Sequence, residues 1–234
     1  MNTAVISGAT RGIGKAIAFR LAEEGFGIAV CSSSRQNVDA FTREFAKRFP
    51  KNDLIAWVCD VASKQELKKW VSLIKRKWNH VDVLVNNAGI FEGGGVLDSR
   101  DNMFEKVMAV NVQSAFYLTR YVANMLEESS KPHIFNMCSV ASIKPYPHGA
   151  LYGISKFALL GFSKSLREEM KPRRIAVTAM IPGAIFTDSW AESGIPEERF
   201  MQPTEIADLL YHIYSMPSRA VVEEVLIRPM MGDV

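Results

Sequence analysis

The stretch TAVISGATRGIGKAIAFRLAEE (residues 3–24) joins a strand pattern to a helix pattern through a glycine-rich turn. Residues 3–7 form a short, mostly apolar run, which is typical of a buried strand. Apolar residues then recur at helical spacing over residues 12–24. A strand, a glycine-rich turn and a helix in this order predict the first half of a βαβ unit. The glycines of the turn are Gly8, Gly12 and Gly14.

The glycine turn has the features of a phosphate-binding site. Bare backbone N–H groups and the helix dipole at the start of a helix favour an anion, and glycine lets a phosphate approach the backbone. The spacing is G-x3-G-x-G rather than the more common G-x-G-x-x-G, and glycine is also ordinary in tight turns. Its position directly after the first strand favours nucleotide binding.

The same alternation of strand and helix continues along the chain. Several strand segments are almost entirely apolar, as expected when helices cover both faces of a parallel sheet. Right-handed βαβ crossovers then give a doubly wound sheet, and no linker or repeat divides the sequence. We predict the α/β class, with residues 1–234 as one Rossmann-like domain: a doubly wound, seven-stranded parallel sheet with helices on both faces. The predicted strands are 3–7, 27–32, 53–60, 81–87, 133–139, 175–182 and 223–229, and the predicted helices are 12–24, 38–49, 64–78, 101–126, 151–170 and 204–215.

Composition argues against several classes of protein. The 234 residues are 48% hydrophobic and 23% charged, which is an ordinary balance for a globular domain. A formal charge of +3 is too small to indicate a nucleic-acid partner, and the more basic stretch 35–80 is typical of solvated helix faces. Cys31, Cys59 and Cys138 are far apart in apolar runs, which favours buried thiols over a disulfide framework or a metal site. The sequence shows no signal-peptide pattern or membrane-spanning run, so we expect a cytoplasmic protein with no membrane partner.

The end of the second predicted strand indicates which dinucleotide binds. NAD sites usually have Asp or Glu about twenty residues after the glycines, where the acid binds the ribose 2′-hydroxyl. Here Ser32, Ser33 and Ser34 occupy that place, Arg35 follows, and Arg11 lies in the glycine turn. Hydroxyl groups and guanidiniums without an acid suit a 2′-phosphate, so NADP(H) is favoured over NAD(H). The alternative is that the two arginines are ordinary surface residues.

The segment ALYGISKFAL (residues 150–159) sets a tyrosine and a lysine four positions apart in an apolar helix pattern. Tyr152 and Lys156 should therefore lie one turn apart on the same face. Taken alone, such a pair is usually a packed tyrosine beside a lysine that extends its ammonium to solvent. An ammonium close to a phenol also favours the phenolate, which makes the tyrosine a candidate acid–base group.

Six segments, in order and at matching spacing, resemble motifs of the short-chain dehydrogenase/reductase family, and the match runs the length of the chain. Ser139 lies thirteen residues before Tyr152, which is the usual gap. Ser7 stands where threonine is usual, and Cys138 replaces a common serine. The segments are SGATRGIG at 7–14, DV at 60–61, NNAG at 86–89, NV at 111–112, Ser139 with Tyr152-x3-Lys156, and PGAIFT at 182–187.

The resemblance implies hydride transfer between a nicotinamide cofactor and a small carbonyl or alcohol compound. By this resemblance Tyr152 is the acid–base group, and Lys156 also binds the nicotinamide ribose. Ser139 donates a hydrogen bond to the substrate oxygen, and Asn111 holds a water that links Lys156 to solvent. Taken singly, Ser139 could instead be a helix cap and Asn111 a partner of local backbone.

The resemblance also implies which residues bind the dinucleotide. They come from the glycine turn, the ends of the second, third and fourth strands, the Tyr152 helix and the PGAIFT segment. The predicted set is Gly8, Thr10, Arg11, Gly12, Ile13, Gly14, Ser33, Ser34, Arg35, Asp60, Val61, Asn87, Ala88, Gly89, Tyr152, Lys156, Pro182, Gly183, Ile185 and Thr187.

Residues 187–202 correspond to the variable substrate lid of the family, which is short here. Its apolar residues Trp190, Phe200 and Met201 either pack the lid down or contact the substrate. Other candidates for the border of the substrate pocket are Tyr146, His148 and the glycine-rich stretch 92–98, which could equally be a plain connection.

Two alternative functions stay open from the sequence. A non-catalytic module that binds or senses a nucleotide would keep the fold, but such a protein should lose Ser139, Tyr152 or Lys156. The epimerase/dehydratase branch shares Tyr-x3-Lys but usually has G-x2-G-x2-G and a longer substrate domain.

Family resemblance also implies a contact between copies of the chain through helices 101–126 and 151–170. We therefore expect a homodimer or homotetramer. The predicted apolar surface of the second helix contains Leu151, Phe157, Leu160 and Phe162.

Overall fold

A computed structural model describes residues 1–145, 149–187, 190 and 194–233. Its seven strands form one parallel sheet in the order β3-β2-β1-β4-β5-β6-β7, which confirms the predicted fold class. The strands are β1 Thr3–Ile6, β2 Gly27–Ser32, β3 Leu54–Val58, β4 Val83–Asn86, β5 His133–Met137, β6 Ala176–Pro182 and β7 Glu224–Ile227. The α-helices are α1 Gly12–Glu23, α2 Arg35–Arg48, α3 Lys64–Lys77, α4 Met103–Met108, α5 Ser114–Glu127, α6 Ala150–Met170 and α7 Pro203–Ser215.

Helices bury both faces of this sheet. On one face, apolar residues of α1, α2 and α7, such as Ile17, Phe41 and Leu210, pack against the strands. On the other face, α3, α5 and α6 supply residues such as Trp70 and Val122. Coverage of both faces explains why strands β1 and β4 are buried at every position.

The strand order reverses at β1, which pairs with β2 on one side and β4 on the other. Val5 lies opposite Ala29 of β2 and Leu84 of β4. In doubly wound sheets, a crevice opens at such a reversal beyond the carboxyl ends of the strands, and ligands bind there. The glycine turn follows the carboxyl end of β1, so the fold places it in this crevice.

The prediction of one continuous helix over residues 101–126 is wrong. The segment predicted as a single helix over 101–126 is divided into α4 and α5 by a π-helical turn, Ala109–Gln113. The side chain of Asn111 accounts for the interruption, because its amide bonds both the N–H and the C=O of Ile90 in a neighbouring loop. Single π turns of this kind often occur at functional sites.

Most other boundaries differ from the prediction by one or two residues, and two of the differences bear on the site. Helix α2 begins at Arg35 rather than at residue 38, because the Ser34 hydroxyl caps it by accepting a hydrogen bond from Asn37 N. Strand β5 ends at Met137, so Ser139 lies beyond the strand rather than at its end.

Cys31, Cys59 and Cys138 are buried free thiols, as predicted. Burial raises the pKa of the Cys138 thiol to about 11. No helix in the described ranges combines the length and the apolar character needed to cross a bilayer.

Candidate active site

Two adjoining cavities lie at the carboxyl edge of the sheet. The first, here called the glycine-turn cavity, has a volume of about 530 Å³ and runs along the turn after β1 and the ends of β2 and β3. The second, the tyrosine cavity, has a volume of about 370 Å³ and contains Tyr152 and Lys156. They form one cleft, since both are lined by Ile13, Asn87, Gly89, Ile90 and Thr187.

The backbone of the glycine turn is held against the end of β4. The Asn87 side-chain amide donates to the carbonyls of Ser7 and Gly8, both at 2.9 Å. In return, the Ser7 hydroxyl accepts hydrogen bonds from the backbone N–H groups of Asn87 and Ala88, both at 3.0 Å. Ser7 therefore fills the place of the usual threonine with the same hydroxyl group.

Glycine is required at two positions of the turn for different reasons. Gly8 has φ +62, which L side chains rarely adopt. A Cβ on Gly14 would lie 2.5 Å from Asn87 Nδ2 and 2.7 Å from Ala9 Cα. The close contact between helix and strand end therefore leaves no room for a side chain at residue 14.

The amino end of α1 is open to an anion. The N-cap residue Arg11 makes no side-chain cap hydrogen bond, and the first turn of α1 has no acidic residue. By contrast, α2 and α3 are capped by the hydroxyls of Ser34 and Ser63. At a helix start without a side-chain cap, the first backbone N–H groups stay available to donate hydrogen bonds to the oxygens of a phosphate in the adjoining cavity.

The end of β2 presents hydroxyl groups and no acid to the glycine-turn cavity. Ser32 and Ser33 line this cavity, as does Arg11. Ser34 does not, because its hydroxyl caps α2, and Arg35 is an exposed residue of the first turn of that helix. Every other residue of the predicted cofactor set lines one of the two cavities.

Helix α6 carries the tyrosine and the lysine into the tyrosine cavity. Lys156 is 5% exposed, and its ammonium donates to the Met137 carbonyl at the end of β5, 2.7 Å away. The same nitrogen lies 5.5 Å from the centre of the Tyr152 ring. Phe91 packs edge-on against that ring, with the centroids 5.3 Å apart. The lysine is thus held inside the protein rather than extending to solvent.

Asn111 is buried behind this pair. Its Oδ1 accepts from Ile90 N at 2.8 Å, and its Nδ2 donates to Ile90 O and to the Ser155 hydroxyl. A Cβ on Gly89 would lie 3.5 Å from Asn111 Oδ1 and 3.6 Å from Lys156 Nζ. The amide oxygen and the ammonium therefore border the same small space.

Ser139 follows β5 and caps a short 3₁₀ turn, Val140–Ser142. Its hydroxyl accepts from Ala141 N at 3.1 Å, and its own N–H donates to the Ser142 hydroxyl. Its neighbours Cys138 and Val140 line the tyrosine cavity, whereas Ser139 does not. The capping role that the sequence left open is therefore present in the structure.

Comparison with known proteins agrees with this geometry. The family model described as short chain dehydrogenase matches residues 2–198. The chain belongs to the short-chain dehydrogenase family. Members are oxidoreductases, and the resemblance predicted from the six motifs is confirmed.

Three relatives of the chain have informative names. A sepiapterin reductase of Chlorobaculum tepidum is 31% identical over 240 residues, covering 98% of this chain and 97% of that protein. A metagenomic short-chain oxidoreductase solved in complex with NADP is 27% identical, with a TM-score of 0.83. The match covers 98% of this chain and 97% of that structure's chain. An actinorhodin polyketide ketoreductase variant solved with NADPH is 26% identical, with a TM-score of 0.88. The match covers 100% of this chain and 98% of that structure's chain.

The tyrosine cavity contains residues that the sequence analysis missed. Phe91, Val140 and Ala184 line the tyrosine cavity, and apolar character next to known motifs was the available signal. Asp233 also lines it, and no sequence signal pointed to this residue because it lies far along the chain from every motif.

The predicted lid is described only in part. Phe200 and Met201 are buried and pack the lid down, whereas Trp190 lines the tyrosine cavity and contacts the Phe200 ring at 5.2 Å. Tyr146 and His148 lie outside the described residues. The stretch 92–98 lines neither cavity and is bound to α6 through a hydrogen bond from Ala150 N to Gly94 O.

Proposed function

We propose that this protein reduces a ketone or aldehyde with NADPH, or oxidises the matching alcohol with NADP, using Tyr152 as the acid–base group. The observation that carries the proposal is the placement of Tyr152 and buried Lys156 in a cavity continuous with the glycine-turn cavity. The first cavity suits a phosphate-bearing cofactor, and the second suits a small reacting compound.

The residues present fit a dinucleotide. The uncapped start of α1 and the hydroxyls of Ser32 and Ser33 suit phosphate oxygens, and Arg11 adds a positive charge. Residues 27–35 contain no Asp or Glu to bind a free 2′-hydroxyl, which favours NADP(H) over NAD(H). The NADP and NADPH complexes of the two similar structures support this preference.

A bound nicotinamide supplies or accepts the hydride, and the protein supplies the proton. In reduction, the Tyr152 hydroxyl donates its proton to the carbonyl oxygen as negative charge develops there. The phenolate that remains is stabilised by the ammonium of Lys156, 5.5 Å from the ring centre. In oxidation, the same phenolate accepts the proton of the alcohol.

Lys156, Ser139 and Asn111 are proposed as the supporting groups. Lys156 uses one N–H on the Met137 carbonyl, so its other donors remain for the ribose. The Ser139 hydroxyl accepts the cap hydrogen bond from Ala141 N, which leaves its proton to donate to a substrate oxygen. Asn111 Oδ1 keeps a second lone pair, and its position near Lys156 Nζ suits a bridging water that returns protons.

Replacing Tyr152 by phenylalanine tests the assignment. We expect Tyr152→Phe to lower kcat by about 1,000-fold, because general acid catalysis is typically worth 10²–10⁴-fold, while the Kd for NADPH changes by less than about threefold. Turnover is followed as NADPH oxidation with a panel of ketones and aldehydes. Tyr117→Phe is the matched control, since Tyr117 is also partly buried with a lysine ammonium 4.3 Å from its ring centre, but lines neither cavity.

Retained turnover in Tyr152→Phe would contradict the acid assignment. The same assay with NADH tests the cofactor preference, and an equal kcat/KM for the two cofactors would contradict it. Absence of NADPH oxidation with every compound would favour the non-catalytic alternative.

We also propose that the protein forms a homodimer or homotetramer through α5 and α6. Phe116, Ile154 and Phe157 on these helices are 41%, 41% and 47% exposed, which leaves an apolar surface for a second copy. Leu151 and Leu160 are buried within the chain and do not contribute to that surface. Sedimentation equilibrium should give at least twice the chain mass of 26.1 kDa, and a monomer mass would contradict the proposal.

A further inference from the structure

Residues 228–233, here called the 228–233 segment, follow β7 and return across the substrate side of the site. The segment is fixed at its start by a hydrogen bond from Gly183 N to Ile227 O at 2.8 Å. It turns at Gly232, which has φ +83 and whose N–H donates to Pro229 O. The turn brings the Asp233 side chain into the lining of the tyrosine cavity.

The two oxygens of the Asp233 carboxylate have different surroundings. Oδ2 accepts hydrogen bonds from Lys144 Nζ and Arg228 Nη2, both at 2.8 Å. Oδ1 is buried and has no hydrogen-bond partner among the described residues. The side chains of Lys144 and Arg228 are 48% and 43% exposed, whereas that of Asp233 is 16% exposed. The cations therefore hold the carboxylate from the solvent side, and its second oxygen is buried.

The carboxylate is ionised at neutral pH. Burial opposes its ionisation, but the hydrogen bonds from Lys144 and Arg228 outweigh this effect and hold the pKa of Asp233 below its usual range. A buried ionised oxygen without a donor is costly, and buried polar groups in folded proteins nearly always have partners. A donor from a bound compound would satisfy Oδ1.

Asp233 shares the wall of the tyrosine cavity with Gly183. Its Oδ1 lies 2.4 Å from where a Cβ on Gly183 would be, so the carboxylate covers the backbone of that residue directly. Gly183 and Ala184 form the wall of the same cavity that contains the Tyr152 side chain. Asp233 therefore borders the cavity that contains Tyr152 without being part of the tyrosine–lysine pair.

The rest of the wall makes this carboxylate distinctive. The cavity is lined largely by apolar side chains, such as Ile90, Phe91, Val140 and Trp190. Asp233 is the only acidic residue among the described lining residues. In a mostly apolar pocket, a few placed polar groups decide which compounds bind and in what orientation.

We propose that Asp233 is a specificity-determining residue whose Oδ1 accepts a hydrogen bond from an N–H or O–H group of the substrate, at a point away from the reacting carbonyl. The inference rests on the proposed carbonyl reduction and adds a substrate class to it. Hydroxyketones and aminoketones are preferred over compounds in which that donor is blocked. Substrates with a carboxylate at the same point are rejected, because two like charges would meet in a cavity with little water.

The test compares matched substrates rather than a single rate. A panel of hydroxyketones with the hydroxyl at increasing distance from the carbonyl is assayed beside the corresponding methyl ethers, with NADPH. In the unmodified protein, at least one hydroxyketone should exceed its ether by about tenfold or more in kcat/KM, as expected for a hydrogen bond to a charged group. Asp233→Asn and Asp233→Ala should reduce this ratio to within about threefold of one.

Glu224→Gln is the matched control. It removes a carboxylate from β7 that is paired with Lys164, but Glu224 does not line either cavity, so the substrate ratio should not change. Binding of the same pairs to the NADPH-loaded protein, followed by tryptophan fluorescence because Trp190 lines the cavity, gives the discrimination without turnover. Circular dichroism and thermal melting confirm that each variant is folded.

Failure of this inference and failure of the proposed function give different results. If NADPH is oxidised and the ratio is the same in Asp233→Asn, Asp233→Ala and the unmodified protein, the role of Asp233 is wrong and the reductase function stands. If the variants weaken NADPH binding about tenfold without changing the ratio, Asp233 serves the cofactor and the inference is also overturned. If no compound is reduced, the proposed function is wrong. In that case, equal affinity of the NADPH-loaded protein for each hydroxyketone and its methyl ether overturns the inference about Asp233 as well.

Discussion

The glycine-turn cavity and the tyrosine cavity are held together in different ways. Around the glycine turn, the contacts are backbone to backbone or one side chain to backbone, such as the Asn87 amide on the carbonyls of Ser7 and Gly8. The substrate side depends on side chains from distant parts of the chain, such as the ion pair of Lys144 with Asp233, 89 positions apart. The first arrangement tolerates almost no change, whereas the second can change its chemistry by single substitutions.

The largest effect is expected at the glycine turn. Gly14→Ala would place its Cβ 2.5 Å from Asn87 Nδ2 and 2.8 Å from Gly8 O, and the backbone atoms there cannot move without breaking the contact between β1 and β4. We expect a loss of about 2–3 kcal/mol in the free energy of unfolding, as for other overpacked sites. We also expect NADPH binding to weaken by more than about 100-fold, measured by fluorescence titration.

Gly161→Ala is the control for that substitution. In the part of the chain that the structure describes, no atom beyond the adjacent residues and the nearby backbone of α6 lies within 4 Å of a Cβ built at Gly161, so alanine should raise stability by up to about 1 kcal/mol there. Equal destabilisation by the two substitutions would contradict the view that the glycine turn is the rigid part of the site.

A smaller effect is expected on the substrate side. Gly183→Ala would place its Cβ 2.4 Å from Asp233 Oδ1 and 3.1 Å from Pro229 Cδ, but the 228–233 segment lies at the surface and can shift to admit a methyl group. The free energy of unfolding should fall by about 1 kcal/mol, which is at the low end of the cost of overpacking. The preference for a hydroxyketone over its methyl ether should fall several-fold, measured with the same substrate pairs.

The cofactor side should be much less affected by Gly183→Ala than by Gly14→Ala. We expect the Kd for NADPH to rise by no more than about tenfold, because Gly183 belongs to the predicted cofactor set but lines only the tyrosine cavity. If NADPH binding were lost to the same extent in both variants, the two cavities would behave as one unit and the comparison drawn above would be wrong.

The contrast also explains what the sequence could predict. The parallel sheet, the helices on both of its faces and the glycine turn follow from local patterns, because each βαβ unit is encoded by consecutive residues. The tyrosine–lysine pair was predictable for the same reason, since four positions on a helix fix its geometry. The π turn at Ala109–Gln113 was not, because it depends on Asn111 reaching the backbone of Ile90, 21 positions earlier.

Two details at the ends of strands were out of reach for a similar reason. The Ser34 hydroxyl caps α2, which removes it from the phosphate side that its position in the sequence suggested. Asp233 reaches the tyrosine cavity only because the 228–233 segment folds back after β7. Sequence spacing does not determine which partner each side chain takes. A serine after a strand can cap a helix or bind a ligand, and an acidic residue near the end of the chain can face solvent or line a pocket.

The return of the 228–233 segment has a practical consequence for handling the protein. Because Asp233 lines the tyrosine cavity, an affinity tag or fusion partner attached at this end of the chain would be joined close to the cavity and would compete with small compounds for access. Met1 is 64% exposed and precedes β1 at the opposite edge of the sheet. A purification tag placed ahead of Met1 therefore keeps the reacting side clear.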